Sequence, residues 1–359
     1  MKVQPRGELL RDALAALGFA ALFLVGLGRP ELMDPDESRH AEIARSMLAD
    51  EQFLTPRVYG EAYYDKPVGF HWAFAASLAS FGPTTAAARL PSALAALAAL
   101  AITAWWALRL HGAVAARLAA AMLGTNLLFI ALGRFGGIDM LFTALLTGAV
   151  AQLSVAASEP SPSPRSALAC YVLLALATLV KGPVALVLAL PALVAAWIAT
   201  RRRGAAWLVP WRGAATILGI AAPWYAAAAH ADPVYIRTFL ETHNLARFAG
   251  SEALGHQSSF AYYAVALPLA CLPWTPLIAA GSYARLRNGR WPPSDVVLTA
   301  WLAAVLVVFS LAGTKLVTYL LPAFPALAVL AASGLVDAQL GAGTAERART
   351  WLRAWTVSW

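Results

Sequence analysis

Charged side chains are scarce in this sequence. They make up 13% of its 359 residues, about half of their usual share in a soluble domain, whereas hydrophobic residues make up 60%. Cysteine is nearly absent as well, and Cys170 and Cys271 both lie within apolar runs, which excludes a small secreted domain held by disulfides. The hydrophobic content also excludes a disordered chain. The sequence therefore predicts an integral membrane protein.

Long apolar runs divide the chain into ten segments, each close to the length of a transmembrane helix. These runs lie at about 13–27, 90–108, 113–132, 140–157, 167–180, 183–200, 214–229, 260–281, 296–312 and 319–336. We therefore predict an all-α polytopic membrane protein with about ten transmembrane helices, in a single membrane-embedded domain over residues 1–359.

Basic and acidic residues separate to opposite sides of these predicted spans. With the N-terminus inside, the inner segments hold 16 of the 27 basic residues but only 6 of the 19 acidic residues. The positive-inside rule then predicts that both termini are cytoplasmic, including a C-terminal tail over 337–359. The positive charge thus orients the chain, which argues against a nucleic-acid partner.

Two outer segments are much longer than the inner connections, namely residues 30–88 and 230–259. Long ordered loops in a compact protein usually carry function, so we expect the site on the outer face. The first loop has two further helical patterns, at about 36–48 and 67–81, that are too short to span a bilayer. Such helices favour the membrane interface, where they could receive a lipid.

Ionisable residues collect at the outer ends of the predicted spans. They are Asp36, Glu37, Arg39, Asp65, Lys66, Arg134, Asp139, Lys181, His243, Arg247 and Lys315. Any one of them could be a solvated or snorkelling charge, and Glu37 could simply favour a helix N-terminus. Because charges beside apolar surroundings are costly, so many at one boundary indicate a binding site.

The cations of this group, Lys66, Lys181, Arg247 and Lys315, suit an anionic ligand. The three aspartates would be repelled by that ligand unless they had another task. A carboxylate can hold a divalent cation that bridges to phosphate, or it can act as general base on an attacking hydroxyl. A lipid phosphate that carries a sugar and loses it to an acceptor would need all of these groups.

Several blocks of sequence resemble one known family, in the same order along the chain. They are DPDESRHAEIARSML (34–48), LTPR (54–57), YDKP (64–67), RFGGIDMLF (134–142), VKGP (180–183), APWY (222–225), ETHNLARF (241–248), GH (255–256), LPW (272–274) and FSLAGTKLVTYLLP (309–322). This series is similar to the polyprenyl-phosphate-sugar-dependent glycosyltransferases, which include the aminoarabinose transferase of lipid A and the protein O-mannosyltransferases. The resemblance implies the type C glycosyltransferase fold, with interfacial helices in the first outer loop.

The resemblance also implies roles for single residues. Asp36 and Asp139 match the acidic pair near the reaction centre, and Arg39 and Lys181 match partners that hold Asp36. The remaining matches concern the donor and a metal. Lys66, Arg247 and Tyr319 match residues that contact the lipid phosphate, with Lys315 beside them, and Asp65 and His243 match ligands of a divalent metal such as zinc, magnesium or manganese. Asp65 stands where the family usually has Glu.

The function implied is transfer of a sugar, with inversion, from a polyprenyl (undecaprenyl) monophosphate donor. The acceptor would be a lipid such as lipid A, a glycan or a protein at the outer face of a bacterial inner membrane. Two other hypotheses stay open: a transporter or flippase of lipid-linked sugars, and a scaffold without activity. A transporter would carry charges near the midplane of its spans, and such charges are scarce here.

Overall fold

The computed structural model describes residues 6–201, 207–246, 261–289 and 291–340. Its regular structure is almost entirely helical. In chain order the elements up to the middle of the chain are α1 (Arg6–Leu24), α2 (Asp36–Ala49), β1 (Arg57–Val58), β2 (Glu61–Ala62), α3 (Gly69–Phe81), α4 (Thr85–Gly124), α5 (Leu127–Gly133), α6 (Ile138–Ser158), α7 (Pro164–Lys181) and α8 (Val184–Thr200).

The second half continues in the same way. Its elements are α9 (Pro210–Ala231), α10 (Pro233–Arg237), a π-helical segment (Thr238–Ala246), α11 (Tyr262–Ala270), α12 (Thr275–Arg287), α13 (Pro293–Leu311), a 3-10 helix (Val317–Leu320) and α14 (Ala323–Leu340). Within the described ranges, four helices are long and apolar enough to cross a membrane, and a bent pair would make a fifth. The chain is thus a polytopic, all-α membrane protein, and the count of ten spans stays a prediction.

Helix α6 is the centre of the bundle. Of its most apolar 18-residue window 83% is buried, against 44–50% for the corresponding windows of α4, α7 and α13. These three helices and α8 pack around it. Because α6 is surrounded by protein, its two ends are the natural meeting points for residues from its neighbours.

Two breaks in the helices lie side by side. The turn at Thr125 and Asn126 separates α4 from α5, and the Asn126 side chain caps α5 by accepting from Phe129 N at 2.8 Å. The second break, between α11 and α12, bends that pair by 109°. Asn126 Nδ2 donates to Ala270 O at 2.9 Å, and Trp274 Nε1 donates to Thr125 Oγ1 at 2.8 Å. The polar side chains of Thr125 and Asn126, at the first break, thus form hydrogen bonds with backbone and side-chain groups at the second break.

The long first loop is ordered and folds against the bundle. It contains α2, the β1–β2 hairpin and α3, and the hairpin turns at Tyr59 and Gly60, which both have positive φ. Helix α2 packs on α3, and α3 packs on α4 and α7. The short helices predicted near 36–48 and 67–81 are therefore present, as Asp36–Ala49 and Gly69–Phe81.

Candidate active site

Most of the sequence-predicted site residues meet at one end of the bundle. Helix α6 begins there with Asp139 in its first turn, and α7 ends there with Lys181 in its last turn. Helix α2 packs on α3, which packs on α4 and α7, and the first turn of α2 thereby brings Asp36 to the same end. We call this the site end.

Asp139 and Lys181 form an ion pair within the reach of two aromatic rings. Lys181 Nζ donates to Asp139 Oδ1 and lies 5.1 Å from the ring centre of Phe142 and 5.0 Å from that of Tyr319. An ammonium over aromatic faces gains cation–π attraction. The sequence-based expectation paired Lys181 with Asp36, but its partner is Asp139, because α6 and α7 are neighbours and α6 begins where α7 ends.

Asp36 pairs instead with Arg39, three residues along α2. Arg39 Nη1 lies 3.5 Å from Asp36 Oδ1, and the Asp36 side chain is 61% exposed. An exposed pair at this distance contributes little to stability. Both groups are therefore accessible to a substrate and able to rearrange around it.

Beside them lies a buried ion pair that the sequence analysis missed. Arg89 Nε and Nη2 donate to the two carboxylate oxygens of Glu37 at 2.7 and 2.6 Å, and Gly136 N and Met33 N donate to the same carboxylate at 2.6 and 2.9 Å. The remaining Arg89 protons go to the carbonyls of Leu27, Pro30 and Glu31. The one signal in the sequence was an arginine within an otherwise apolar stretch, which predicts a partner.

This buried pair connects the two acidic candidates. Glu37 follows Asp36 in α2, and Gly136 lies three residues before Asp139. Burial raises the pKa of Glu37, but the hydrogen bonds from Arg89 and from the two backbone amides lower it further than burial raises it. Glu37 is thus held ionised, and its carboxylate fixes the turn that carries Asp36 against the turn that precedes α6.

A second charged group forms around Asp65. Lys66 Nζ lies 2.9 Å from Asp65 Oδ1, His243 Nδ1 lies 3.0 Å from the same oxygen, and the Tyr63 hydroxyl donates to Asp65 Oδ2 at 3.1 Å. Tyr235 donates to the Lys66 carbonyl at 2.6 Å. The described part of the second long loop, residues 230–246, therefore packs on the first loop, and this contact brings the π-helical segment with His243 to Asp65.

The Asp65 and His243 side chains fit as two ligands of a divalent metal. His243 Nδ1 is buried and has no hydrogen bond of acceptable geometry, although Asp65 Oδ1 is only 3.0 Å away. Two ligand atoms that share a metal approach one another without a hydrogen bond between them. Across the described ranges no three His, Cys, Asp or Glu side chains are grouped for a metal.

The last predicted phosphate-binding segment lies next to Lys181. Lys315 is buried and donates to Ala312 O at 2.7 Å, and Tyr319 stacks on Phe309 with ring centres 4.8 Å apart. Tyr263 holds the segment by donating to Leu316 O at 3.0 Å. Arg247, the remaining predicted phosphate contact, lies outside the described residues.

An apolar groove of about 780 Å³ adjoins this segment. Its walls come from α5, from α11 and from Val317, which lies between Lys315 and Tyr319 in the sequence. The side chains from α11 include Tyr262, Val265 and Leu269. The groove thus joins an apolar helix surface to the chain segment that carries Lys315 and Tyr319, an arrangement that suits a molecule with an apolar chain and an anionic head.

Comparison with known proteins places these observations in a family. Residues 65–226 match the family described as dolichyl-phosphate-mannose-protein mannosyltransferase. The chain is 31% identical over 344 residues to the undecaprenyl phosphate-alpha-4-amino-4-deoxy-L-arabinose arabinosyl transferase of Aeromonas salmonicida, covering 94% of this chain and 62% of that protein. The corresponding transferase of Edwardsiella ictaluri is 32% identical, with 88% and 58% covered. The chain thus spans about three fifths of the length of these relatives.

Solved structures with a similar fold support the same family. The crystal structure of ArnT from Cupriavidus metallidurans bound to undecaprenyl phosphate superimposes with a TM-score of 0.82 at 26% identity, covering 90% of this chain and 60% of that one. The archaeal oligosaccharyltransferase AglB from Archaeoglobus fulgidus superimposes with a TM-score of 0.58 at 13% identity, covering 93% and 50%. At that identity the second likeness concerns the fold alone, and the type C glycosyltransferase fold expected from the sequence is confirmed.

Proposed function

Because this chain belongs to the family of polyprenyl-phosphate-sugar-dependent glycosyltransferases, we propose that it transfers a sugar from a polyprenyl monophosphate to an acceptor. One observation above all supports this proposal: the apolar groove is lined in part by Val317, and Tyr319, two residues further along the chain, has its ring centre 5.0 Å from Lys181 Nζ. A polyprenyl chain would lie in the groove with its phosphate at Lys181 and Lys315. The curated relatives act on undecaprenyl phosphate carrying 4-amino-4-deoxy-L-arabinose, and we propose a donor of that class.

The departing phosphate gains negative charge as the bond to the sugar breaks. Cations already in place stabilise that charge more in the transition state than in the ground state, which is what accelerates the reaction. In our proposal Lys66, Lys315 and Arg247 contact the phosphate, and Tyr319 orients it. Lys181 is paired with Asp139 and lies close to the rings of Phe142 and Tyr319. Its positive charge would also stabilise the same phosphate.

The acceptor would enter on the side of Asp36, whose carboxylate is exposed. Attack from the face opposite to the phosphate inverts the configuration at the sugar carbon. If the acceptor is a hydroxyl, Asp36 takes its proton as general base, with Arg39 orienting the carboxylate. If the acceptor is itself an ionised phosphate, no proton needs removal and Asp36 positions it.

We further propose that Asp65 and His243 hold a divalent metal ion, zinc, magnesium or manganese. When bound, the metal would neutralise part of the phosphate charge. Lys66 lies 2.9 Å from Asp65 Oδ1, so the ammonium and the metal would act on the same phosphate. The Tyr63 hydroxyl bonds the other Asp65 oxygen and would keep the carboxylate turned toward His243.

The location follows from the charge distribution. We propose that the site end faces the periplasm or exterior of a bacterial inner membrane and that both termini are cytoplasmic, as the positive-inside rule predicts. The acceptor would then be a lipid of the lipid A class, a glycan or a protein at that surface. The lipid is the acceptor class in best accord with the named relatives.

The test uses the purified chain in lipid vesicles with undecaprenyl phosphate-4-amino-4-deoxy-L-arabinose as donor and lipid A as acceptor. We expect formation of free undecaprenyl phosphate and a mass gain on lipid A, both lost in Asp36→Asn and Lys66→Ala. Arg45→Ala is the matched control, since Arg45 is an exposed residue of α2 paired with Glu42. Donor crossing the bilayer intact, without release of its phosphate, would favour a flippase instead.

A further inference from the structure

Two histidines of the first loop contact one another beneath the charged residues of the site end. His40 Nδ1 lies 3.1 Å from His71 Nε2, within hydrogen-bond distance. His71 is fully buried and His40 is 7% exposed. Both rings also pack against aromatic neighbours, with His40 edge-on to Phe70 and His71 edge-on to Tyr63. Neither histidine has a role predicted from the sequence.

This contact carries no charge near neutral pH. Burial lowers the pKa of His40 to about 4, and burial together with the neighbouring His40 lowers the pKa of His71 well below its ordinary value. Two imidazolium ions 3.1 Å apart would repel one another strongly in a buried site. The pair is therefore two neutral rings, one donating its N–H and the other accepting it.

The two rings lie between the candidate catalytic groups. His40 is one turn along α2 from Asp36 and adjoins Arg39. His71 is in the first turn of α3, five residues after Lys66. On its other side His71 meets Tyr63, whose hydroxyl bonds Asp65. Contacts thus run from the acceptor side of the site, through the two imidazoles, to the side that would hold the phosphate.

The contribution of this hydrogen bond to the stability of the fold does not explain why two histidines are buried here. A buried polar pair gains little net free energy, and two apolar side chains of similar shape can replace it at almost no cost. What a hydrogen bond adds is direction, because it fixes the distance and the angle between α2 and α3 where packing alone would allow sliding. A shift of about 1 Å between reacting groups can cost roughly a hundredfold in rate.

We propose that the His40–His71 hydrogen bond is a positioning contact for sugar transfer, which sets the separation between Asp36 on α2 and the Asp65–Lys66 pair before α3. This inference rests on the proposed function. His40 and His71 touch neither donor nor acceptor in this arrangement. They act through the elements that carry the groups that do.

Two double variants test the proposal by keeping or displacing the bonding atoms. An asparagine amide can replace His Nδ1, and a glutamine amide can replace His Nε2. We expect His40→Asn with His71→Gln to keep kcat close to wild type. The reversed pair, His40→Gln with His71→Asn, has the same composition but misplaced amides, and we expect its kcat to fall about 10- to 100-fold. The KM for the donor should change little in both.

A third double variant separates positioning from stability. His40→Leu with His71→Leu should match the wild type in thermal stability and yet lose kcat about 10- to 100-fold. His230→Leu, a change at an exposed histidine, is the control for loss of an imidazole. Equal kcat in the Asn/Gln pair and its reverse would overturn the proposal, and so would wild-type kcat in a folded Leu/Leu variant.

A readout without the reaction keeps the two hypotheses distinct. Hydrogen exchange of the backbone amides of α2, measured in the same samples, should be faster in the Leu/Leu variant and in the reversed pair than in the wild type. If the wild type forms no undecaprenyl phosphate, the proposed function fails, and exchange alone decides the role of the pair. Unchanged exchange at α2 would then overturn the positioning contact.

Discussion

The two ends of the bundle both carry clustered charges, but the clusters are built differently. At the end opposite to the site, Arg285 contacts both Asp295 and Asp337, and His111 lies 3.7 Å from Asp295. Asp295 is 1% exposed and Arg285 is 7% exposed. At the site end, by contrast, the side chains of Asp36 and Arg39 are 61% and 35% exposed, and an apolar groove is lined in part by Val317, two residues before Tyr319.

The difference separates charged residues that hold helices together, such as Arg285 and Asp295, from exposed charged residues that can bind a ligand, such as Asp36 and Arg39. The Arg285 cluster joins α4, α12, α13 and α14 where they converge, and its members satisfy one another. The Glu37–Arg89 pair shows that the site end has a closed cluster of its own, which supports the turns that carry Asp36 and Asp139. Burial and closure of the hydrogen bonds, rather than the presence of charge, distinguish these structural pairs from the exposed Asp36–Arg39 pair.

The largest effect on stability is expected from breaking the Arg285 cluster. Arg285→Ala leaves the buried carboxylate of Asp295 without its cation, which typically costs about 3–5 kcal/mol. Arg117→Ala is the control at the same end, because its pairs with Glu8 and Asp12 are exposed and contribute little to stability. Unfolding by denaturant in one detergent measures both. Equal losses in the two variants would contradict the distinction.

A smaller loss of stability is expected when the pH is lowered, and it arises from His40 at the site end. The unfolded chain protonates His40 near its ordinary pKa of 6.5, whereas the folded chain does so only near 4. Stability therefore falls as the pH drops from 6.5 to 4, by at most about 3 kcal/mol. The groups that face His40 are Asp36, Arg39, Asp65, Lys66 and His71.

The variant His40→Asn isolates this contribution. It keeps a bonding atom near the position of Nδ1 but cannot take up a proton, so its stability should fall less than that of the wild type over the same pH range. The free energy of unfolding of both proteins, followed from pH 7 to pH 4, measures the difference. Identical pH dependence would show that His40 does not remain neutral in the folded chain.

The contrast also explains what could be predicted from sequence. Apolar runs predicted where helices lie, and the placement of Asp139 and Lys181 at helix ends on the same predicted side of the membrane correctly brought them to one end of the bundle. Their mutual pairing was not predicted, because it depends on which helices are neighbours. The closed contacts Glu37–Arg89 and His40–His71 join residues 52 and 31 positions apart, and no spacing rule connects such residues.

The break between α4 and α5 was missed for a similar reason. The run 113–132 reads as one continuous span, since Asn126 is a single polar residue among apolar ones. Its amide donates to Ala270 O, 144 residues away. A lone asparagine in a span can be recognised as costly, but the carbonyl that it satisfies becomes visible only when the second break has been placed beside it.

The smallest effect on stability is expected at the open pair of the site end, where function should respond most. Arg39→Ala removes an ion pair of 3.5 Å between partly exposed side chains, which is worth less than about 1 kcal/mol. Arg45→Ala removes the matched pair on the same helix, also three residues apart, with Glu42 at 2.7 Å. By stability alone, loss of the shorter Arg45 pair should cost at least as much.

Sugar transfer should rank these two variants in the opposite order. Arg39 orients the Asp36 carboxylate in the proposed reaction, so Arg39→Ala should lower the rate of undecaprenyl phosphate release by about 10- to 100-fold, while Arg45→Ala leaves it unchanged. The rate of release and the free energy of unfolding are measured for both variants. The proposal predicts that Arg39→Ala loses more rate than Arg45→Ala without losing more stability. A rate loss that follows stability would make the Asp36–Arg39 pair a structural contact like that of Arg285, and the distinction between the two ends would then rest on exposure alone.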